Sequence, residues 1–282
     1  MNFGRLIIAA LAAPLFAPYA ALGADPTTAP IAPSTSDDRI ALSADGSTLT
    51  GTNGGGGGSV TWLHNFDADT LAGVAIEHQT LFTSNWTFGS VNGSVTRGTG
   101  DARYSVYGEA HEGAGDDGPK AFHYSIEAVG VIGTYYHRLS AQLEDRNFDI
   151  ETIHGNLPKV GLSYLWGPHL LTSVAYSYSV SGNLGTRLTA ARIDIYGAAV
   201  NFIAGGAFGQ ASPVILGAVS NEIVVLVPGH RLREGYVGIA KPLPHLRSDL
   251  TLVADYQDLS GSKRATLTLN YIFHVGHNGK PK

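Results

Sequence analysis

The strongest constraint on the fold is a regular alternation of apolar and polar residues near the C-terminus. Between residues 265 and 273, the odd positions read Ala, Leu, Leu, Tyr and Phe, and the even positions read Thr, Thr, Asn and Ile. A β-strand sends successive side chains to opposite faces, so this segment predicts a strand with one apolar face that ends in aromatic residues. That face would be the core of a soluble sandwich or the lipid-facing surface of a membrane barrel.

Six other segments show the same alternation, so the pattern belongs to most of the chain. Their apolar faces carry many Tyr, Ala and Gly residues, with Tyr or Trp near the strand ends, whereas a sandwich core is rich in Val, Ile, Leu and Phe. This pattern favours a lipid-facing band with aromatic girdles around a polar interior. A soluble secreted β-sandwich is the structural alternative. The six segments are residues 102–111, 122–128, 138–144, 159–166, 173–180 and 250–257.

Turn residues predict an antiparallel up-and-down barrel of about 14 strands, with 12 strands as the alternative. Asp67-Ala68-Asp69, Gly167-Pro168 and Lys241-Pro242-Leu243-Pro244 predict tight connections, whereas residues 113–119 and 151–156 predict longer polar loops. Short turns at one end and longer loops at the other are typical of outer-membrane barrels. The predicted strands are residues 38–46, 58–66, 70–83, 86–97, 101–112, 121–130, 134–148, 158–166, 169–181, 187–203, 211–225, 231–241, 249–258 and 263–273.

One of these segments is ambiguous. Residues 223–227 read Ile-Val-Val-Leu-Val without alternation, and Pro228-Gly229 ends the run. The surrounding segment 212–228 could therefore be a strand, or a plug or loop that packs against the barrel.

The N-terminus predicts an export signal. Residues 1–23 combine Arg5 with a short apolar run and small residues, Ala21 and Gly23, at the −3 and −1 positions of a cleavage site. This arrangement predicts a signal peptide rather than a membrane anchor, because Pro14 and Pro18 interrupt the run. Residues 24–37, rich in Pro, Thr, Ser and Ala, are predicted to be disordered. A single barrel domain would then cover residues 38–273, followed by a C-terminal tail, residues 274–282.

Composition excludes several other classes. The chain has no Cys and a net charge of −5, and only 15% of its residues are charged. A nucleic-acid-binding protein needs a basic face, so this balance argues against that function. No later apolar run is long enough for a transmembrane helix. An exported chain without disulfides must be held together by core packing or by a closed hydrogen-bonded sheet.

The signal peptide, the alternating strands and a last strand that ends Tyr271-Ile272-Phe273 resemble the outer-membrane β-barrels of Gram-negative bacteria. The resemblance implies an outer-membrane location, contact with outer-membrane lipid, and recognition of Tyr271 and Phe273 by the barrel-assembly machinery. Many members of the family end on the aromatic residue itself, whereas here nine residues follow Phe273. Over about residues 38–273 the chain is also similar to YaiO-type barrels, which are linked to surface polysaccharide.

Charged and His residues on the polar faces are candidates to line the interior. They could line a polar channel, or they could form salt bridges that fill a narrow barrel. Their mixed signs argue against a strongly ion-selective channel. The candidates are Arg103, Glu109, His111, His123, Glu127, Arg138, Glu144, Arg192, Asp194 and Asp255.

No catalytic or cofactor site is predicted. If His111 pairs with His123, the two imidazoles face each other near Glu109 and Glu127, which would permit a metal site. His is common near loops in such interiors, however, so we predict neither a metal nor a cofactor. The His-x-Ser-Asn-Gly element of phospholipase barrels is absent, so we do not expect an enzyme.

The sequence therefore favours a channel for small polar solutes, or a barrel that assists the export of surface polysaccharide. A structural or adhesive barrel with a plugged interior is the first alternative. An outer-membrane lipid hydrolase is the second.

Overall fold

The computed structural model has an all-β architecture. It describes residues 38–50, 55–67, 69–81, 84–99, 102–115, 120–133, 137–150, 153–180, 185–211, 215–216, 223–224, 230–259 and 262–276. The predicted signal peptide, the predicted disordered segment and the end of the predicted tail lie outside these residues. Within them, no helix has the length and apolarity needed to cross a bilayer.

The described ranges contain 17 strands and one turn of 3-10 helix, Pro244–Leu246. The strands are β1 (Asp38–Leu49), β2 (Gly55–Asn65), β3 (Thr70–Leu81), β4 (Ser84–Thr99), β5 (Ala102–Gly115), β6 (Lys120–Ile132), β7 (His137–Ile150), β8 (Ile153–Asn156), β9 (Lys159–Trp166), β10 (Leu170–Tyr178), β11 (Arg187–Tyr196), β12 (Asn201–Ala211), β13 (Ile215–Leu216), β14 (Ile223–Val224), β15 (His230–Leu243), β16 (Ser248–Leu259) and β17 (Ser262–Val275).

One antiparallel sheet contains 15 of these strands, and 14 of them, all except β8, pair in a ring that returns to its starting point. Consecutive strands pair from β1 to β7, β7 pairs with β9, and the chain of pairs continues through β10, β11, β12, β15 and β16 to β17. The last strand, β17, pairs with the whole length of β1, from Asp38 opposite Val275 to Leu49 opposite Arg264. The predicted fold class, an up-and-down barrel, is confirmed.

The predicted number of strands is right, although two errors in placement cancel. The predicted strand 187–203 is divided into β11 and β12 by a turn at residues 197–200, where the N–H of Gly197 donates to Asn201 Oδ1 at 3.2 Å. Within the predicted strand 211–225, Ala211 belongs to β12, and the described segments β13 and β14 pair only with each other and not with the ring. Residues 197–200 read Gly-Ala-Ala-Val, which lacks Pro, Asn or Asp, and the turn was therefore not recognised.

The predicted contrast between short and long connections holds only in part, because the end with the longest connections also has the two-residue connections 82–83 and 260–261. At the end where β1 starts and β17 finishes, which we call the terminal end, the connections are residues 66–69, 100–101, 133–136, 167–169, 197–200 and 244–247. The far end carries the longer connections 179–186 and 212–229, together with β8, which pairs with the end of β7.

The register of the strand pairs fixes the tilt of the strands. Followed once around the ring, the pairings accumulate an offset of about 14 residues, or about one residue per strand. An offset equal to the strand number corresponds to a tilt of about 36°. With strands about 4.8 Å apart, the backbone lies roughly 13 Å from the axis, so the interior can hold two facing layers of side chains.

The two faces of the sheet have the reverse of the burial expected in water. On the outer face, Ile76 is 60% exposed and Val237 is 61% exposed. On the inner face, Asp194 is 2% exposed and Arg264 is 3% exposed. Apolar side chains that point outward in such number are stable when lipid surrounds them.

Outward-facing aromatic residues mark the two edges of this apolar surface. Once the strand tilt is allowed for, the register places one group near the terminal end and another toward the far end, about 20 Å apart. This separation is somewhat less than the height of about 25 Å typical of the apolar band of outer-membrane barrels. The terminal group includes Phe66, Tyr104, Trp166, Phe202 and Phe273, and the far group includes Tyr176, Tyr178, Phe208 and Tyr256.

The last strand has the predicted orientation. Leu267, Leu269 and Phe273 are exposed on the outer face, and the rings of Tyr271 and Phe273 meet edge to face at 4.4 Å. The strand continues to Val275, where His274 contacts Asp249 at 2.8 Å. Recognition of Tyr271 and Phe273 by an assembly machinery stays a prediction.

The long connection 212–229 contributes no described strand to the ring, so the barrel should form without it. Ala211 and His230, on either side of the connection, are register partners that a two-residue Asn-Gly turn can join. We expect the shortened chain to insert into lipid and to keep its heat-dependent gel migration. Loss of the folded band would show that the connection supports the wall. Deletion of β12 is the matched control, because it opens the ring.

Candidate functional site

A belt of charged side chains surrounds the interior at about mid-height. The register and the tilt place its members within about two residues of a common level, although they come from strands far apart in sequence. Acidic and basic side chains are both well represented. We call this set the charged belt: Asp45, Glu77, Glu109, His111, Glu144, Arg146, Lys159, Arg192, Glu234 and Asp255.

The structure distributes the predicted interior residues between the belt and the terminal end. Glu109, His111, Glu144, Arg192 and Asp255 belong to the belt, and Asp194 lies just below it. Arg103 and Arg138 face inward near the terminal end, where Arg103 lies 3.8 Å from Asp69. The backbone of His123 is paired with His111, and that of Glu127 with Glu144, but the side chains of His123 and Glu127 lie outside the description.

Tyr107, Glu109 and His111 form a buried group on β5. The hydroxyl of Tyr107 donates to Glu109 Oε2 at 2.5 Å, and His111 Nε2 lies 3.3 Å from Glu109 Oε1. These inward positions alternate along one strand, which brings the three side chains together on one face. Among the described residues, no three His, Cys, Asp or Glu side chains converge in a way that could hold a metal ion.

The neighbouring wall carries an excess of positive charge. Glu144 on β7 contacts both Arg146 on the same strand and Lys159, its register partner on β9. The carboxylate is buried, so two cations compensate for its lost hydration. Arg138, also on β7, adds a further buried guanidinium.

On the other side of the ring, Arg192 and Asp194 form an ion pair in which two guanidinium nitrogens contact the carboxylate. Arg192 Nε lies 2.8 Å from Asp194 Oδ2, and Nη2 lies 2.6 Å from Oδ1. Such bidentate pairs have a fixed geometry and are among the stronger charge-assisted hydrogen bonds.

Tyr236 packs over Gly205 on the same side of the ring. Tyr236 is 4% exposed, and a Cβ at Gly205 would collide with the tyrosine hydroxyl. Gly205 therefore allows the ring of Tyr236 to lie against the wall.

An apolar collar lies below the charged belt, toward the terminal end. Its members point inward and are at most 7% exposed, and Leu165 and Leu171 are direct register partners. Arg39 lies between Leu63 and Ile272, and Asp194 is the register partner of both Leu171 and Ile203, so charged side chains interrupt the collar. The collar consists of Leu63, Leu165, Leu171, Ile203 and Ile272.

Together, the apolar exterior, the aromatic girdles, the closed ring and the polar interior define a 14-stranded transmembrane β-barrel of the outer-membrane type. No protein-family model matches the chain. A comparison with curated proteins likewise finds no significant relative.

Comparison with solved structures finds similar barrels. The CymD monoaromatic hydrocarbon channel has 8% identity, covers 87% of this chain and 90% of its own, and gives a TM-score of 0.54. The deltaS2S3 mutant of the TodX monoaromatic hydrocarbon channel has 8% identity, covers 87% of this chain and 91% of its own, and gives a TM-score of 0.52. At such low identity the similarity establishes the fold alone.

Proposed function

We propose that the protein is an outer-membrane channel that carries small polar solutes through the interior of the barrel. The observation that supports this proposal most strongly is the charged belt, which covers the inside of a closed ring with an apolar exterior. A barrel does not need buried charges in order to be stable in a membrane. Paired buried charges stabilise a protein little more than apolar side chains of similar size would. The similarity to hydrocarbon channels agrees with a transport role.

The interior implies a narrow path. Glu109, Glu144 and Glu234 are each at most 9% exposed, so neighbouring side chains cover most of the belt. A wide, water-filled porin would leave these charges hydrated. Acidic and basic groups are both present, so we expect low conductance with weak selectivity between cations and anions.

Tyr236 and Tyr256 provide a matched pair for testing the channel. Tyr236 faces inward and is 4% exposed, whereas Tyr256 faces outward and is 47% exposed. Tyr236→Ala removes a ring from the narrow interior, so we expect it to raise the single-channel conductance in a planar bilayer at least about twofold. Tyr256→Ala makes the same chemical change on the lipid side and should leave conductance unchanged.

If the wild-type protein and both variants insert but conduct nothing, and vesicles containing them do not swell in small sugars or amino acids, the channel proposal fails. The second candidate function, a structural or adhesive barrel with a plugged interior, would then be favoured, since the same buried belt supports it. Deletion of the far-end loops should in that case abolish binding to a surface partner while the barrel still inserts.

Two further roles stay proposals with less support. Export of a surface polysaccharide, suggested by the resemblance to YaiO-type barrels, would require the side chains that bury the charged belt to move apart and open a path. An outer-membrane lipid hydrolase would require turnover of phospholipid or lipid A. A lipid assay that shows no such turnover would remove that hypothesis.

A further inference from the structure

One sector of the charged belt contains more buried hydrogen-bond acceptors than its own residues can satisfy. It lies on β1, β3, β15 and β16, and we call it the acidic sector. Its members occupy inward positions at about the same level of the barrel. They are Asp45, Gln79, Glu234, Asp255 and Gln257.

Contacts within the acidic sector connect these side chains to one another. Gln79 Nε2 donates to Asp45 Oδ1 at 3.4 Å, and the side chains of Glu234 and Asp255 are hydrogen-bonded to each other. Gln79 can cross to Asp45 because Gly57 lies between their strands, where a Cβ would come within 2.6 Å of Gln79 Cγ. The side chains are thus held in place before any solute arrives.

Several acceptor atoms of the sector have no donor among the described residues. They are Asp45 Oδ2, Gln79 Oε1, Asp255 Oδ2 and Gln257 Oε1. Gln79 is 2% exposed and Gln257 is 1% exposed, so bulk water does not reach these amides freely. Buried polar atoms are nearly always hydrogen-bonded in proteins, and this concentration of acceptors calls for a donor from outside the chain.

The charge of the sector specifies the kind of donor. The sector contains three carboxyl groups, and the guanidinium of Arg264 interacts electrostatically with two of them, Asp45 and Asp255. A cation with several N–H groups satisfies both the acceptors and the charge, whereas an anion would be repelled and a neutral alcohol would leave the charge uncompensated.

We propose that the acidic sector is a binding subsite for the ammonium group of an amine-bearing solute. The assignment rests on the proposed channel function and names the class of solute that the channel would favour. An ammonium group presents three donors and one positive charge, which matches the carboxylate and amide oxygens of the sector. The solute would pause there while its remaining atoms face Arg146 and Lys159 on the opposite wall.

The test compares three small probes of similar length: 1,4-diaminobutane, 1,4-butanediol and succinate. Each is added to the barrel in a planar bilayer, and the concentration that halves the single-channel current is measured. We expect the diamine to block at a concentration at least about tenfold lower than the diol or the diacid. Equal block by the diamine and the diol would overturn the proposal.

Matched variants locate the effect. Asp45→Asn with Asp255→Asn removes both charges but keeps the side-chain size, and we expect it to weaken the diamine block at least about tenfold. Gln257→Leu removes an amide acceptor without changing the charge, and should weaken the block by a smaller factor. Asp67→Asn is the control, because Asp67 is exposed in the turn after β2 and accepts the N–H of Asp69 at 2.8 Å. That hydrogen bond lowers the pKa of the Asp67 carboxyl, so the control removes a charge that is present at neutral pH.

Calorimetry on the detergent-solubilised barrel separates this inference from the channel proposal. Diamine binding that the double variant abolishes, in a barrel that conducts nothing, would support the subsite and overturn the channel. Conductance with no preference for the diamine would support the channel and overturn the subsite. If the double variant does not fold, Gln257→Leu and Asp45→Asn alone make the same comparison, and an unchanged diamine affinity in both would overturn the subsite.

Discussion

Arg192→Met should destabilise the barrel by about 3 kcal/mol, because it leaves the buried carboxylate of Asp194 without its bidentate partner. Asp194 is 2% exposed, and Arg192 supplies the two contacts of 2.8 and 2.6 Å described above. Methionine keeps most of the length of the side chain, so lost packing contributes little. The measurement is the free energy of unfolding from a urea titration in phospholipid vesicles, followed by tryptophan fluorescence.

The paired control is Arg192→Met combined with Asp194→Leu. Because both charges are then removed, we expect the double variant to recover to within about 1 kcal/mol of the wild type. A cost below about 1 kcal/mol for Arg192→Met alone would contradict the prediction. It would mean that water reaches Asp194 and that the path through the barrel is wider than the buried belt implies.

Ile76→Arg should cost about 2–4 kcal/mol of unfolding free energy, because it places a charge on the lipid-facing surface near the midplane of the bilayer. Ile132→Arg makes the same substitution at the edge of the band, next to the turn that follows β6, and should cost only about 0–1 kcal/mol. The two isoleucines are 60% and 69% exposed, so depth rather than exposure distinguishes them. The same vesicle titration measures both variants.

The difference in unfolding free energy between Ile76→Arg and Ile132→Arg tests whether lipid or water surrounds the outer face. In a soluble β-sandwich, neither exposed isoleucine would lie in an apolar environment, and both substitutions would be close to neutral. Equal costs at Ile76 and Ile132 would therefore contradict a transmembrane barrel. A large cost at Ile76 alone would support it.

Most of the barrel could be predicted because each strand is amphipathic on its own. The alternation at residues 265–273 fixed which face of β17 is exposed, and turn residues such as Asp67 fixed several strand ends. The boundary between β11 and β12 was missed because the turn Gly197-Ala198-Ala199-Val200 contains no residue that marks a turn other than one glycine. The apolar run at residues 223–227 left a strand and a plug or loop open, and its described part, Ile223–Val224, pairs with Ile215–Leu216 rather than with the ring.

The functional candidates were predicted less completely, because a strand pattern gives the face of a residue but not its height in the barrel. Asp45, Glu77 and Glu234 were not selected, although the structure places them in the charged belt beside Glu109 and Asp255. Their level depends on the register of 14 strand pairs, and no single segment contains that information. The apolar collar was missed for the same reason: Leu63 and Ile272 look like exceptions to the alternation until the ring brings them together.

The pairing of β1 with β17 has a consequence for how the protein is made. Asp38 and Val275 are partners, so the ring cannot close until nearly the whole chain has been delivered. Before that moment, any partial sheet has two open edges that can pair with other chains. Closure also carries the largest loop entropy of any step. We therefore expect folding to depend on the arrival of the last strand, and a chain that lacks it to aggregate or be degraded rather than form a smaller barrel.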